Sequence, residues 1–315
     1  MGDRFKWNQF GLLRNANDLE DYMHREYEHS NYFHYTCLNS IDSILKNNEF
    51  WISPISRFND KAEYKFFENS DKENVDKYFS LCFSTGVQEN LPLWYMYAGL
   101  DGLGGRLRFT KVQIKSLIEK GTYYLALRKS DGQCENICEL KEDDFEIHFK
   151  DVLYFKKNDT KEGYVALKYN TMTNYKVPTS EFEKYSANNI GFVKYIVWFY
   201  EKETRLLIKL KKSLHEIIES KGGNYTEYAK DDKNYYLIKL SFKNSYEIKK
   251  SIQITLAPEI EKEDLYQKLD TYKNLKEHML NTSFIKPSEY AGQIKMNLKD
   301  NLCKNCNKRK VQNNF

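Results

Sequence analysis

Short apolar or alternating runs, broken by stretches with apolar residues every three to four positions, recur along this 315-residue chain. Such a pattern predicts strands interleaved with helices. Residues 16–29 carry a helical pattern with Leu19, Tyr22 and Tyr27 among charges. Residues 32–36 predict a strand, and residues 40–46, with Ile41, Ile44 and Leu45 on one face, predict a helix capped by Thr36 or Asn39. Residues 50–53 predict a second strand that leads into a loop at 54–60 rich in turn formers. Residues 78–85 suit a buried strand, 90–97 a short helix with Trp94, Tyr95 and Tyr97, 106–109 a strand and 112–119 a helix. The runs 123–127 and 145–155 are β-rich, whereas 158–186 is polar and predicts loop with some helix.

Residues 195–200 form an apolar run that predicts a strand continuing through Glu201 and Glu203. Further strands are expected at 206–210, 235–242 and 252–256, with a helix at 213–220. Pro258 marks a boundary, after which 259–279 is helical and charged and the last stretch reads as a mobile basic tail. No internal repeat and no long linker interrupt the chain. The elements therefore assemble as one mixed α+β domain over 30–257, preceded by a helical segment at 1–29 and followed by a helix and tail at 258–315.

Composition changes this picture little. Forty-nine basic and forty-five acidic residues leave a net charge of +4, spread along the chain except for Lys304, Lys308, Arg309 and Lys310 near the end. No run is long and apolar enough to span a membrane, and the first residues lack a secretory signal, so a cytoplasmic protein without membrane contact is expected. Cys37 and Cys82 read as small core residues. Cys134, Cys138, Cys303 and Cys306 supply four thiols, but the spacing of the first pair is unusual, no His is near, and the second pair lies in a polar tail. A structural zinc is accordingly not expected. The glycines between 99 and 105 precede a strand, whereas a dinucleotide fingerprint needs them to follow one and open a helix.

Candidate chemistry gathers at three strand ends. On extended backbone Glu201 and Glu203 point to the same side, two like charges that need a cation or a polar substrate, and Arg205 falls on that side too. His34 lies on the first strand and Ser84 with Thr85 closes another. Strands of a split sheet bring such ends to one cleft.

The set His34-Tyr35-Thr36, Ser53, Arg57-Phe58-Asn59-Asp60 with Glu63, Cys82-Phe83-Ser84, Leu93-Trp94 with Tyr97, Lys194, and Trp198, Tyr200-Glu201-x-Glu203-x-Arg205 resembles a bacterial family of uncharacterised domains found in prophages and defence islands. That family in turn resembles the ADP-ribosyltransferases, including toxins that modify DNA thymidine. The resemblance implies a split mixed and antiparallel β-sheet with peripheral helices, NAD as substrate, and a macromolecular acceptor, RNA or DNA before protein. It also implies a toxin or anti-phage effector, with an antitoxin or immunity partner. Within it Glu203 would stabilise the cationic ribose, Glu201 would orient or deprotonate the acceptor, and Ser84 would brace the carboxylate. His34, Tyr35, Thr36, Arg57, Asn59, Tyr97 and Lys194 would hold NAD, with Arg57 or Lys194 on its pyrophosphate. A hydrolase that only degrades NAD, and a non-catalytic nucleotide or RNA sensor, are the competing readings.

Overall fold

Apolar runs become strands wherever one face finds a core. The computed structural model describes residues 29–291 except 59–71, 87, 99–102, 158–162, 169–172, 229–231, 246–247, 249–250, 261–266, 268 and 283–284. Its strands are β1 (Asn31–Cys37), β2 (Glu49–Pro54), β3 (Tyr78–Ser84), β4 (Gly104–Thr110), β5 (Thr122–Arg128), β6 (Cys134–Leu140), β7 (Phe145–Asp151) and β8 (Leu153–Lys157). They continue as β9 (Tyr164–Lys168), β10 (Thr173–Val177), β11 (Val193–Tyr195), β12 (Glu203–Leu210), β13 (Tyr235–Ser241), β14 (Gln253–Leu256) and β15 (Ile285–Lys286). The helices are α1 (Leu38–Asn47), α2 (Leu91–Tyr97), α3 (Lys111–Lys120), α4 (Thr179–Asn188), α5 (Leu214–Ser220) and α6 (Lys273–Thr282).

The fold is mixed α+β. Eleven strands belong to one largely antiparallel sheet, in the order β15-β14-β4-β1-β3-β2-β13-β5-β6, with β12 joining β3 to β7. β3 is where this sheet parts. One edge of β3 pairs with β12 along its length, from Glu203 opposite Ser84 to Lys209 opposite Tyr78. The other edge meets β1 only at Phe33 opposite Ser84, and β2 only at Ser53 opposite Ser80 and Pro54 opposite Phe79. Between these contacts the Cys82 carbonyl accepts from His34 Nδ1 at 2.9 Å in place of a strand N–H. Each buried backbone group needs a partner, and here a side chain supplies it. Phe79, Leu81 and Phe83 point to the opposite side and join one large core with Phe50, Leu125 and Ile238 of the other half-sheet.

A second, four-stranded sheet runs β10-β9-β8-β11. The sequence predicts loop with some helix over 158–186, where β9, β10 and α4 form; Phe155, Val177 and Val193 close over Phe182 and Tyr185 of α4. Only Val152 separates β7 from β8, and its N–H bonds the Glu203 carbonyl at 2.9 Å. The start of β12 is thereby fixed by both sheets.

Two local expectations are corrected. α1 begins two residues early, at Leu38, which is itself buried; its cap is Cys37, whose side chain makes no capping bond to the backbone, and neither Thr36 nor Asn39 serves. Residues 196–201 form a 3-10 turn, Ile196–Glu201, and not a strand. Ile196, Trp198 and Phe199 pack together on Val152 and on Tyr154 and Leu167 of the second sheet, and this burial overrides the β-propensity of the run.

Beyond residue 257 the chain still belongs to the same unit. β15 pairs with β14, and Asp42 of α1 accepts from the Leu275 N–H and the Asn274 side chain, both at 2.9 Å. Residues 1–28 and 292–315, including the basic tail with Cys303 and Cys306, lie outside the described residues. Cys134 and Cys138 sit four residues apart on β6, with a register shift against β5 between them, and neither forms a disulfide. No helix among the described residues is long and apolar enough to cross a membrane.

Candidate functional site

Where the sheet parts, a cavity of about 290 Å³ opens, lined by residues of β1, β2 and β3, by Tyr97 of α2 and by Glu201 and Glu203. Its wall follows from the period of a strand. Ser80, Cys82 and Ser84 alternate with Phe79, Leu81 and Phe83; all three apolar residues join the core, and Leu81 and Phe83 also border the cavity beside the small polar set. The antiparallel register then sets Glu203 beside Ser84 and Arg205 beside Cys82 on that same face.

Glu201 and Glu203 reach the cavity from different backbone geometries. Glu201 ends the 3-10 turn, Lys202 adopts a left-handed conformation with φ of 49°, and Glu203 opens β12. A non-glycine residue in that region costs about 1 kcal/mol or more and persists only when its surroundings hold it there. Here Thr85 holds it, donating both its N–H, at 3.0 Å, and its hydroxyl, at 3.1 Å, to the Lys202 carbonyl. The clamp turns the Glu201 carboxylate back toward Glu203.

Two cations meet the two carboxylates. Arg205, fully buried, forks onto Glu203 with Nε to Oε1 at 2.8 Å and Nη2 to Oε2 at 3.0 Å, and its Nη1 donates to the Gly191 carbonyl at 2.7 Å. Lys194 Nζ bridges the pair, 2.5 Å from Glu201 Oε2 and 3.2 Å from Glu203 Oε2. Tyr97 donates its hydroxyl to Glu201 Oε1 at 3.2 Å, and the Glu203 N–H donates to the Tyr154 hydroxyl at 2.9 Å. Buried charges persist when paired and hydrogen-bonded in this manner.

The two acids are thereby set apart. Burial pushes Glu203 upward, but the Arg205 guanidinium and Lys194 outweigh it and hold this carboxyl well below the usual range, with the Cys82 thiol adding a hydrogen bond. Burial and the neighbouring Glu203 charge raise Glu201 to about 7 despite Lys194. One group stays ionised and the other titrates near neutrality, a division that suits a charge stabiliser and a proton acceptor. Burial lowers His34, which keeps its ring neutral. With Nδ1 donating to the Cys82 carbonyl, Nε2 is left as the acceptor of the ring.

One polar atom in the wall lacks a partner. Ser80 Oγ is buried in the cavity lining and finds no hydrogen bond among the described residues. A buried hydroxyl left so costs about 1–3 kcal/mol.

The structure brings together His34, Tyr35, Thr36, Ser84, Tyr97, Glu201 and Glu203 around the cavity. Tyr35 contributes ring surface, since its hydroxyl is engaged by the Asn90 N–H and by Arg106. Lys194, which the resemblance assigns with Arg57 to a pyrophosphate, bridges the two carboxylates. Arg57 is not at the cavity: its guanidinium donates to the Asp232 carbonyl at 2.9 Å and covers the Tyr235 ring at 4.1 Å. Asn59 lies outside the described residues. Cys82, read from the sequence as core, lines the cavity. Ser80 and Cys82 were legible as a period-two partner set of Ser84, whereas the contribution of Tyr154 depends on a strand pairing that no local pattern announces.

Comparisons with protein-family models, with curated proteins and with solved structures each found no match.

Proposed function

We propose that the chain is an NAD-dependent ADP-ribosyltransferase that modifies a macromolecule, nucleic acid before protein, in the manner of a bacterial toxin or anti-phage effector. One observation carries the reading: a carboxylate held ionised by a forked arginine, Glu203, lies in the wall of a cavity formed where a split sheet parts, beside a second carboxyl that titrates near 7. The sequence resemblance to ADP-ribosyltransferases adds the substrate.

The chemistry uses each group once. Cleavage of the bond between ribose C1′ and the cationic nicotinamide nitrogen sends the electron pair to nicotinamide, which departs neutral, and leaves positive charge on the ribose. Glu203 stabilises that charge as it develops, a term worth about 10²–10³ in rate. The acceptor oxygen or nitrogen then bonds C1′ and gives its proton to Glu201, whose pKa near 7 suits a general base. His34 Nε2 is available to a ribose hydroxyl. At about 290 Å³ the cavity lies at the small end of ligand sites and suits the nicotinamide-ribose half of NAD, with the adenosine half outside.

The test incubates the full chain with NAD labelled in its adenylate part, together with RNA, DNA and cell protein, beside Glu203→Gln. Label on a macromolecule, lost in the variant, is the expected result. Free ADP-ribose with no labelled macromolecule assigns the site to NAD hydrolysis, and intact NAD in every mixture overturns both readings.

A further inference from the structure

The second sheet ends on the glutamate pair. β11 pairs with β8 in parallel, and the register sets Lys194 opposite Tyr154. Val193 turns into the cluster under α4, and Tyr195 meets Phe155 edge-on, so the period of a strand sends Lys194 and its neighbour Tyr154 to the other side. There the Tyr154 hydroxyl accepts the Glu203 N–H at 2.9 Å, and Lys194 Nζ lies 2.5 Å from Glu201 Oε2 and 3.2 Å from Glu203 Oε2. Two adjacent side chains thus hold both the backbone and the carboxylate of Glu203 from outside the main sheet.

Lys194 is 6 % exposed, and its ammonium also lies 4.9 Å from the centre of the Trp198 ring. A cation so buried needs a carboxylate to answer it. Arg205 already forks onto Glu203 through two N–H groups, so Glu203 keeps a counter-ion without the lysine. Glu201 does not. Among the described residues Lys194 is the one cation paired with it, while its other oxygen takes the Tyr97 hydroxyl. When Glu201 gains a proton its charge disappears, yet Lys194 still faces Glu203 at 3.2 Å. The ammonium therefore has a carboxylate in both protonation states of Glu201.

We propose that Lys194 is a positioning residue of this site: it supplies the counter-ion against which Glu201 gains and gives up a proton beside an ionised Glu203, and the second sheet is the support that carries it there. Its part in transfer rests on the reading of Glu201 as the proton acceptor; its part as counter-ion needs no NAD. The other groups facing the pair are Cys82 of β3, Tyr97 of α2, Tyr154 of β8, Tyr200 of the turn and Arg205 of β12. Of these only Arg205 is positive, and it is spent on Glu203; the Lys202 chain lies against Gly86. Loss of Lys194 therefore disfavours the ionised form of Glu201 and raises the pH at which it gives up its proton.

The experiment titrates the full chain, labelled with carbon-13 at the glutamate carboxyls, by NMR, with the Glu201 resonance identified by its absence from Glu201→Gln. Wild type should show a midpoint near 7. Lys194→Met and Lys194→Gln should both move it up by about one pH unit or more, and Lys194→Arg, which restores the charge, should reverse most of that change. The rising limb of macromolecular labelling from adenylate-labelled NAD should move with the same midpoint. A wild-type midpoint in the ordinary carboxylate range, or one that stays near 7 in both neutral variants, overturns the assignment of Lys194, even where those variants lose activity at every pH. A midpoint that moves as expected in a chain whose wild type releases no nicotinamide supports the counter-ion role and overturns the transferase reading instead.

Discussion

Two buried acidic clusters in this molecule use similar residues and reach different states. In one, Glu89 accepts from Trp94 Nε1 at 3.1 Å, from the Ser288 hydroxyl at 2.5 Å and from the Glu289 N–H at 2.9 Å, with Arg106 Nη2 at 3.9 Å. Its carboxylate is surrounded by donors from α2 and from the segment after β15, and it ties that segment to the main sheet. In the other, Glu201 and Glu203 share Lys194, border a cavity, and are driven apart in acidity. The difference lies in what completes each shell. Around Glu89 the protein supplies the donors, so the cluster serves the fold; around the glutamate pair part of the shell is open space, so a substrate can enter it.

Substitutions can break or sharpen this contrast. The largest effect is expected from Glu203→Gln, which should lower nicotinamide release about 10³-fold in a continuous assay. Arg205→Met removes the fully buried fork from Glu203 and should cost about 3–5 kcal/mol in chemical denaturation. Glu89→Gln should cost less, about 1–3 kcal/mol by the same measurement, and leave nicotinamide release unchanged; a catalytic loss there would erase the distinction between the clusters.

Glu201 gives a pH signature. Its folded pKa, about 7, lies above the ordinary carboxylate value, so the native state holds a proton that the unfolded chain releases. Its contribution to stability is therefore present below the ordinary carboxylate value and is lost as pH rises through about 7. Transfer to an acceptor should run the other way, rising with pH to a plateau above about 7 as the base ionises. Glu201→Gln should abolish the rising limb of the pH–rate profile. The smallest effect on activity belongs to Ser80→Ala, which removes an orphaned hydroxyl and should raise stability by about 1–3 kcal/mol in chemical denaturation.

Much of the scaffold was legible because the physics there is local. The alternation of Phe79, Leu81 and Phe83 with small polar residues marks a strand with one face in a core, and Ile41, Ile44 and Leu45 mark the buried stripe of α1. The pairing of Glu203 with Arg205 also follows from period two within one strand. β9 and β10 were hidden, since they are short strands within the polar stretch 158–186 and owe their order to α4 and to pairing across the second sheet. The turn at 196–201 was misread for the opposite reason: its β-forming residues find a better surface on Val152, Tyr154 and Leu167. Lys194 was expected at a phosphate because sequence cannot show that it folds back between two carboxylates, and Arg57 was drawn away by the Tyr235 ring.

The most direct measurement is nicotinamide release from NAD by purified wild type, Glu203→Gln and Glu89→Gln at one pH near neutrality. Release by wild type and by Glu89→Gln, with a loss of about 10³-fold in Glu203→Gln, is the predicted result. Release that survives in Glu203→Gln, or that falls equally in both variants, would contradict the assignment of Glu203 as the catalytic carboxylate.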